Sequence, residues 1–214
     1  MNFSILTKLR DGILEPRSRR VNLQKKVEQE VFTIGHSTRS KEEFLGLLKS
    51  NGITTVVDIR TIPKSRRNPQ FDQDALSKYL EKNGIYYLHI KGLGGLRTPS
   101  KKSVNLGLRN CSFRGYADYM KQDEFVQNLD QLIELISSEN NRKAKVAYMC
   151  AEAVPWRCHR SLVSDALTVR GLRVSRIISE KAVQLHVITP FARVRGMEIT
   201  YPSSGKTSVC VEES

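Results

Sequence analysis

No run of apolar residues in this 214-residue chain approaches the length of a membrane span, so a helical membrane protein is not expected. The first residues lack the apolar core and small-residue cleavage site of a secretory leader. A transit peptide is poor in acid, whereas Asp11, Glu15, Glu28 and Glu30 stand among Arg10, Arg17, Arg19, Arg20, Lys25 and Lys26; residues 1–30 therefore read as a basic surface extension. Cysteine is scarce. The four at positions 111, 150, 158 and 210 have no paired framework spacing, which predicts reduced thiols and a cytoplasmic location. No Cys-x2-Cys or His-x3-His pair anchors a zinc site, so Cys150, Cys158, His159 and His36 would have to converge without one, and no metal is expected. The run Gly92-x-Gly94-Gly95 has Arg97 where a dinucleotide motif needs its last glycine, so no cofactor is expected. Gly205-Lys206-Thr207 resembles the end of a phosphate loop, but Thr200 occupies the place of its first glycine. No internal repeat is evident.

Acid is also in short supply. Thirty-five Lys and Arg against 22 Asp and Glu give a formal charge of +13. Such a chain attracts polyanions, nucleic acid above all, although charge alone specifies no ligand. With 39% hydrophobic residues the chain can bury one good core. Strand and helix signals alternate through it. Residues 31–35 read as a strand; Ser40 and Glu43 then form a capping box before Phe44, Leu45, Leu47 and Leu48, and Gly52 ends that helix. A β-branched strand over 54–59 follows. Asp72 stands to cap a helix carrying Ala75, Leu76, Tyr79 and Leu80, stopped by Gly84. After a strand at 85–90 and a long loop over 91–112 comes a helical region, best defined at 123–138, whose apolar stripe includes Phe125, Leu129, Leu132 and Ile136. A strand ending at Cys150, a helix stopped by Gly171 and a strand over 172–178 complete the series. This order predicts a single α/β domain over 31–202, with a mostly parallel, Rossmann-like sheet and helices on both faces. A short C-terminal coda, with apolar runs near 186–188 and 197–201 around Arg195-Gly196, reads as a small hairpin or irregular wrap. Residues 203–214 read as a disordered tail.

The most informative stretch runs from Lys145 to Leu167. Val146-Ala147-Tyr148-Met149-Cys150 fits a buried strand; a polar loop follows, and Cys158-His159-Arg160 opens a run with Leu162, Val163, Ala166 and Leu167 at helical spacing. Such a junction aims free N–H groups and a positive helix end above the sheet, where an anion such as phosphate binds.

The same segment resembles the signature of the family known as domain of unknown function 488. Further marks stand in order: Thr33-Ile34-Gly35-His36-Ser37, Val57-Asp58-Ile59-Arg60, Pro63, Ser65-Arg66, Asn68-Pro69, Phe71, Leu93-Gly94-Gly95-Leu96, Cys150-Ala151-Glu152, Cys158-His159-Arg160 and Thr189-Pro190-Phe191-Ala192. The resemblance covers residues 31–202 and implies an α/β fold, without a substrate or a catalytic assignment.

In a doubly wound sheet, ligands bind beyond the carboxyl ends of the strands, and several of these marks fall there. The strands bearing His36, Asp58 and Glu152 are therefore expected to line one pocket. Glu152 is read as a general base or ribose anchor, against an ion pair with Arg157 or Arg160. Asp58 and Arg60, two apart on one strand face, either serve a ligand, with Asp58 as a second catalytic candidate that moves a proton or orients a base or sugar and Arg60 on phosphate, or form a structural salt bridge. Cys158, at a helix start, is a candidate nucleophile, against simple packing; Cys150 is read as packing. His36, Ser37, Arg66, Gly94, Gly95, Trp156, Arg157, His159 and Arg160 complete the candidate ligand set, with Lys64, Arg67 and Phe71 on the loop that carries Arg66. Three functions remain open: an enzyme acting on a nucleotide or nucleic acid, a binding module for the same ligands, and a thiol or phosphate-ester enzyme using Cys158.

Overall fold

A computed structural model describes residues 29–154 and 157–203. The basic N-terminal extension up to residue 28, Trp156, Cys210 and the tail from residue 204 lie outside them. Strand β1 (Glu30–Gly35) leads to helix α1 (Lys41–Ser50), β2 (Ile53–Asp58), α2 (Gln73–Lys82) and β3 (Tyr86–His89). Helices α3 (Cys111–Tyr119) and α4 (Asp123–Asn141) precede β4 (Lys145–Cys150), α5 (Arg160–Val169) and β5 (Arg173–Ser179). Strands β6 (Ala182–Leu185), β7 (Arg193–Arg195) and β8 (Glu198–Thr200) end the described chain.

The six-stranded sheet runs β3-β2-β4-β1-β5-β6, parallel throughout except for the antiparallel edge β6. Alternation along the strands sends neighbouring side chains to opposite faces. Val31, Val57, Val146 and Tyr148 pack beneath α3, α4 and α5, with Phe125, Leu129 and Leu162 in the same core. Phe32, Val56, Ala147 and Met149 pack against α1 and α2 through Phe44, Leu48, Leu76 and Leu80. Each fully buried side chain of this kind is worth about 1.5–3 kcal/mol, so two apolar layers hold one sheet between them. This is the single α/β domain with helices on both faces that the alternation predicts.

Local signals act as read at α1: Glu43 N–H donates to Ser40 Oγ at 3.1 Å, and the Glu43 carboxylate accepts from Ser40 N–H at 2.8 Å. Gly52, Gly84 and Gly171 take left-handed φ of 69°, 76° and 83° where their helices stop. Asp72 does sit at the N-cap of α2, but its carboxylate accepts from Ser65 N–H at 2.7 Å instead of capping the helix. In the coda, β7 and β8 form a hairpin around Arg195-Gly196, while β6 begins before the apolar run at 186–188. His186 and Tyr201 are buried, both bonded to Asp165 of α5. No helix of the described residues is long and apolar enough to cross a membrane.

Candidate functional site

Helices α1 and α2, which follow β1 and β2, lie on one face of the sheet, and α5, which follows β4, lies on the other. The chain therefore diverges on either side of β4, which leaves a crevice beyond its carboxyl end. The loop after β4 is tied down: His36 N–H donates to Cys150 O at 3.1 Å, and Ser37 N–H to Ala151 O at 2.7 Å. A Cβ on Gly35 would collide with the Glu152 carbonyl, so only glycine lets β1 end this close to the loop.

A cleft of about 290 Å³ opens here. The end of β2 contributes Arg60, Thr61 and Ile62, while Gly95, Leu96 and Phe113 form the opposite wall. Cys150, Glu152, Arg157, Cys158 and His159 supply the chemistry. Cys158 Sγ lies 3.5 Å from Arg160 N–H in the first turn of α5, as a helix-start thiol should. Its thiol is driven well below the ordinary range, chiefly by the hydrogen bond from Cys150, with His159 and Arg160 adding. Cys150 is correspondingly raised, by the same hydrogen bond and by burial. His159 Nε2–H donates to Ile59 O at 3.2 Å, so Nδ1 carries the lone pair, 3.9 Å from each sulfur. The ring is wedged between Tyr116, at 5.0 Å between centroids, and the backbone of Gly95. A Cβ on Gly95 would come within 2.9 Å of Nδ1.

Glu152 is half-buried, and its carboxylate accepts from Val154 N–H at 2.9 Å. It has no ion pair among the described residues, since Arg160 bonds its backbone carbonyl instead, at 2.9 Å. Arg157 is exposed at the mouth.

Asp58, Arg60 and His36 converge, but they turn inward. Arg60 donates from Nε and Nη2 to the Asp58 carboxylate, from Nη2 to Phe71 O and from Nη1 to His36 Nε2. Tyr87 OH adds a bond to Asp58 at 2.7 Å. Of the two readings of Asp58 and Arg60, the structural salt bridge is what the geometry holds, and of the three strand-end residues expected to share a pocket only Glu152 lines this cleft. Phe71 is pinned into the core, stacked on His36 at 4.1 Å. Arg160 is likewise engaged internally, with Nη1 on Thr33 Oγ1 at 2.9 Å; its Nε is buried without a partner among the described residues. Gly94 makes room for Thr61 and Gly95 for His159; of the two, Gly95 lines the cleft and Gly94 does not. Arg66 is exposed on the loop after β2 but does not line the cleft, and neither does Ser37. Sequence reasoning left Thr61, Ile62, Leu96, Ser112 and Phe113 out of the site; Leu96, a family mark, and Ser112 line it from a segment read as loop, and Phe113 from the helical region after it.

His36 sets one expected result. Nδ1–H donates to Ser37 O at 2.8 Å and Nε2 faces the Arg60 guanidinium, so a second proton would meet a cation. Burial chiefly, with Arg60 and Arg39 adding and the Ser37 bond and Asp58 opposing, lowers its pKa from 6.5 to about 4. The unfolded chain thus binds this proton first. Stability is whole above pH 6.5, falls between pH 6.5 and 4, and is then lower by about 3 kcal/mol. Urea titrations of wild type against His36→Gln should show this extra acid sensitivity in wild type alone; parallel pH curves would contradict it.

What the fold and cleft define is an α/β protein whose strand ends gather two thiols, an imidazole and a carboxylate. The chain belongs to the family described as Domain of unknown function DUF488, which matches residues 40–167, more than half of it. The match starts after the mark at 33–37 and stops before the one at 189–192. No curated protein and no solved structure matched the chain.

Proposed function

We propose that this is an enzyme acting on a nucleotide or nucleic acid held by its phosphates beyond the carboxyl ends of β2 and β4, with Glu152 as the group that moves a proton. The observation that carries the reading is the Glu152 carboxylate. It lines an open cleft and is not neutralised by any described arginine, while the other strand-end acid, Asp58, is consumed by Arg60. Charge supports the ligand class. Net charge is +13, and two further clefts adjoin the first at Thr61 to make a trough of mixed charge: one carries Lys64 and Lys91 with Asp72 and Asp74, the other Lys91 and Arg97 with Glu124, so that with Arg157 these side chains are the cations within reach of phosphate. Arg157, Lys64 and Lys91 take the phosphate-holding role first read into Arg60 and Arg160, whose guanidinium groups are already bonded within the fold.

The test has two arms. Binding of a labelled single-stranded oligonucleotide should weaken steeply with salt, and Arg157→Ala, Lys64→Ala and Lys91→Ala should each flatten that dependence, by about 0.7 in log–log slope per lost phosphate contact. Measuring all three separates the trough from the basic N-terminal arm. In the second arm, nucleotides and oligonucleotides incubated with the protein are followed by mass spectrometry. Glu152→Gln should abolish any mass change while affinity and Tm stay near wild type. A fall in Tm with proportionate loss of function would leave a binding module, and salt-insensitive binding would sink the ligand class altogether.

A second reading, a thiol enzyme, is favoured by one contact: Cys158 Sγ lines the cleft while accepting the Arg160 N–H. In that case Cys158→Ser abolishes turnover and Glu152→Gln only slows it.

A further inference from the structure

We propose that Cys150, Cys158 and His159 form a site for a zinc-class divalent cation on the floor of the cleft. This goes beyond the nucleic-acid reading and stands without it.

The three donor atoms already lie within 4.8 Å of one another, with 3.9 Å from His159 Nδ1 to each sulfur. A tetrahedral zinc ion sits about 2.3 Å from sulfur and 2.0–2.1 Å from imidazole nitrogen, which sets those atoms roughly 3.5 Å apart. Closing the set around an ion therefore needs about 0.4 Å at each nitrogen–sulfur pair and no more than about 1 Å between the sulfurs. The tautomer is also the required one. Because Ile59 O can only accept, His159 must keep its proton on Nε2 and present the Nδ1 lone pair to the sulfurs. A histidine that binds a metal commonly has its remote N–H held by a carbonyl in this way. Tyr116 and Gly95 fix the ring plane, so the donor is pre-aimed.

Donor chemistry selects the class of ion. Two sulfurs and one imidazole suit zinc and its soft neighbours and are poor ligands for magnesium or calcium. Each thiol gives its proton to solvent on ligation, and two thiolates with a divalent cation make a core of zero net charge. That core tolerates burial better than an unpaired thiolate on the same floor. Three protein donors leave a tetrahedral ion one open position, the arrangement of catalytic rather than structural zinc sites. Since all three residues line the cleft, that position faces the cleft that Glu152 also borders. The spacing hides the site from motif searches, because one ligand ends β4 and the other two precede α5.

Cobalt(II) is the direct probe. The full-length protein, stripped with chelator, should bind one Co²⁺ per chain with thiolate charge-transfer and tetrahedral d–d absorption, and Zn²⁺ should displace it. Cys150→Ser and Cys158→Ser should each weaken binding more than about 100-fold, since even outer-shell partners are worth about 10–100-fold. Cys111→Ser should leave it unchanged. Should the serine variants fail to fold, wild type still decides: bound Zn²⁺ should shield Cys150 and Cys158 from alkylation, read by peptide mass spectrometry. Absence of the charge-transfer band, its survival in Cys150→Ser and Cys158→Ser, or equal alkylation with and without Zn²⁺ would overturn the proposal. Oligonucleotide binding by the stripped protein, measured separately, keeps this result distinct from the fate of the nucleic-acid reading.

Discussion

Asp58→Ala is expected to cost about 3–5 kcal/mol of folding stability, the range for breaking one side of a buried ion pair. Asp58 is fully buried and accepts from Arg60 N–H, Arg60 Nε, Arg60 Nη2 and Tyr87 OH. With the carboxylate gone, the guanidinium keeps only Phe71 O and His36 Nε2 and sits uncompensated beneath the cleft. Tyr87→Phe removes one donor and should cost about 1–2 kcal/mol. The phenol is held protonated by burial first and by Asp58 second, so it remains a donor at any working pH. Adding Arg60→Met to Asp58→Ala should recover a large part of the loss, because no stranded charge is left. Urea unfolding of the three variants checks this; a loss under 1 kcal/mol for Asp58→Ala would show that water or rearrangement meets the guanidinium.

Asp165→Ala should have an effect of similar size but a different reach. This buried carboxylate in α5 accepts from His186 Nε2 at 2.7 Å, from Thr189 N–H at 3.1 Å and Oγ1 at 2.7 Å, and from Tyr201 OH at 2.9 Å. All three partners belong to the coda, which is also held by His186 N–H on Val174 O, Arg176 Nη2 on His186 Nδ1, Tyr201 N–H on Asn105 Oδ1, Gly107 N–H on Tyr201 O and the Lys121–Glu198 ion pair. Bonds to a charged group are worth about 1.5–3 kcal/mol each and do not add in full, so about 3–5 kcal/mol is expected. The loss should be local first. Hydrogen exchange over residues 186–201 should accelerate well before exchange in β1, β2 and β4. Uniform acceleration across the sheet would mean that Asp165 supports the core rather than tethering the coda.

Layering and element order were legible because burial on both faces leaves a periodic trace: Val146 to Cys150 reads as a strand, and the stripe from Phe125 to Ile136 reads as a helix. The candidate site was legible only in part. That Cys158, His159 and Glu152 stand at strand and helix ends is a local fact. Which partners each side chain meets depends on elements far away in sequence. Asp58 and Arg60 share a strand face in either reading, and only Tyr87 from β3 and His36 from β1 decide for the salt bridge. Helix α3 was merged into a vague helical region because Gly115 weakens its pattern; the glycine is there because the Arg97 carbonyl packs directly against it. One signal was available and unused: Asp165 lies within the apolar positions 162, 163, 166 and 167, and an acid on a buried helix face needs partners.

The place of β4 between β1 and β2 also governs how the molecule can assemble during synthesis. Phe32 pairs with Ala147 and Val57 with Tyr148, whereas β1 and β2 have no pairing with each other. A nascent chain that has emerged only through α4 therefore carries two open strand edges with an empty slot between them. Closing that slot joins segments about a hundred residues apart, a high contact-order step that comes late and slowly. Until then the unpaired edges are available for intermolecular pairing, so chains terminated before Lys145 should aggregate. The strand whose arrival closes the sheet is the one that ends in Cys150, so no folding intermediate that lacks it can contain the cleft.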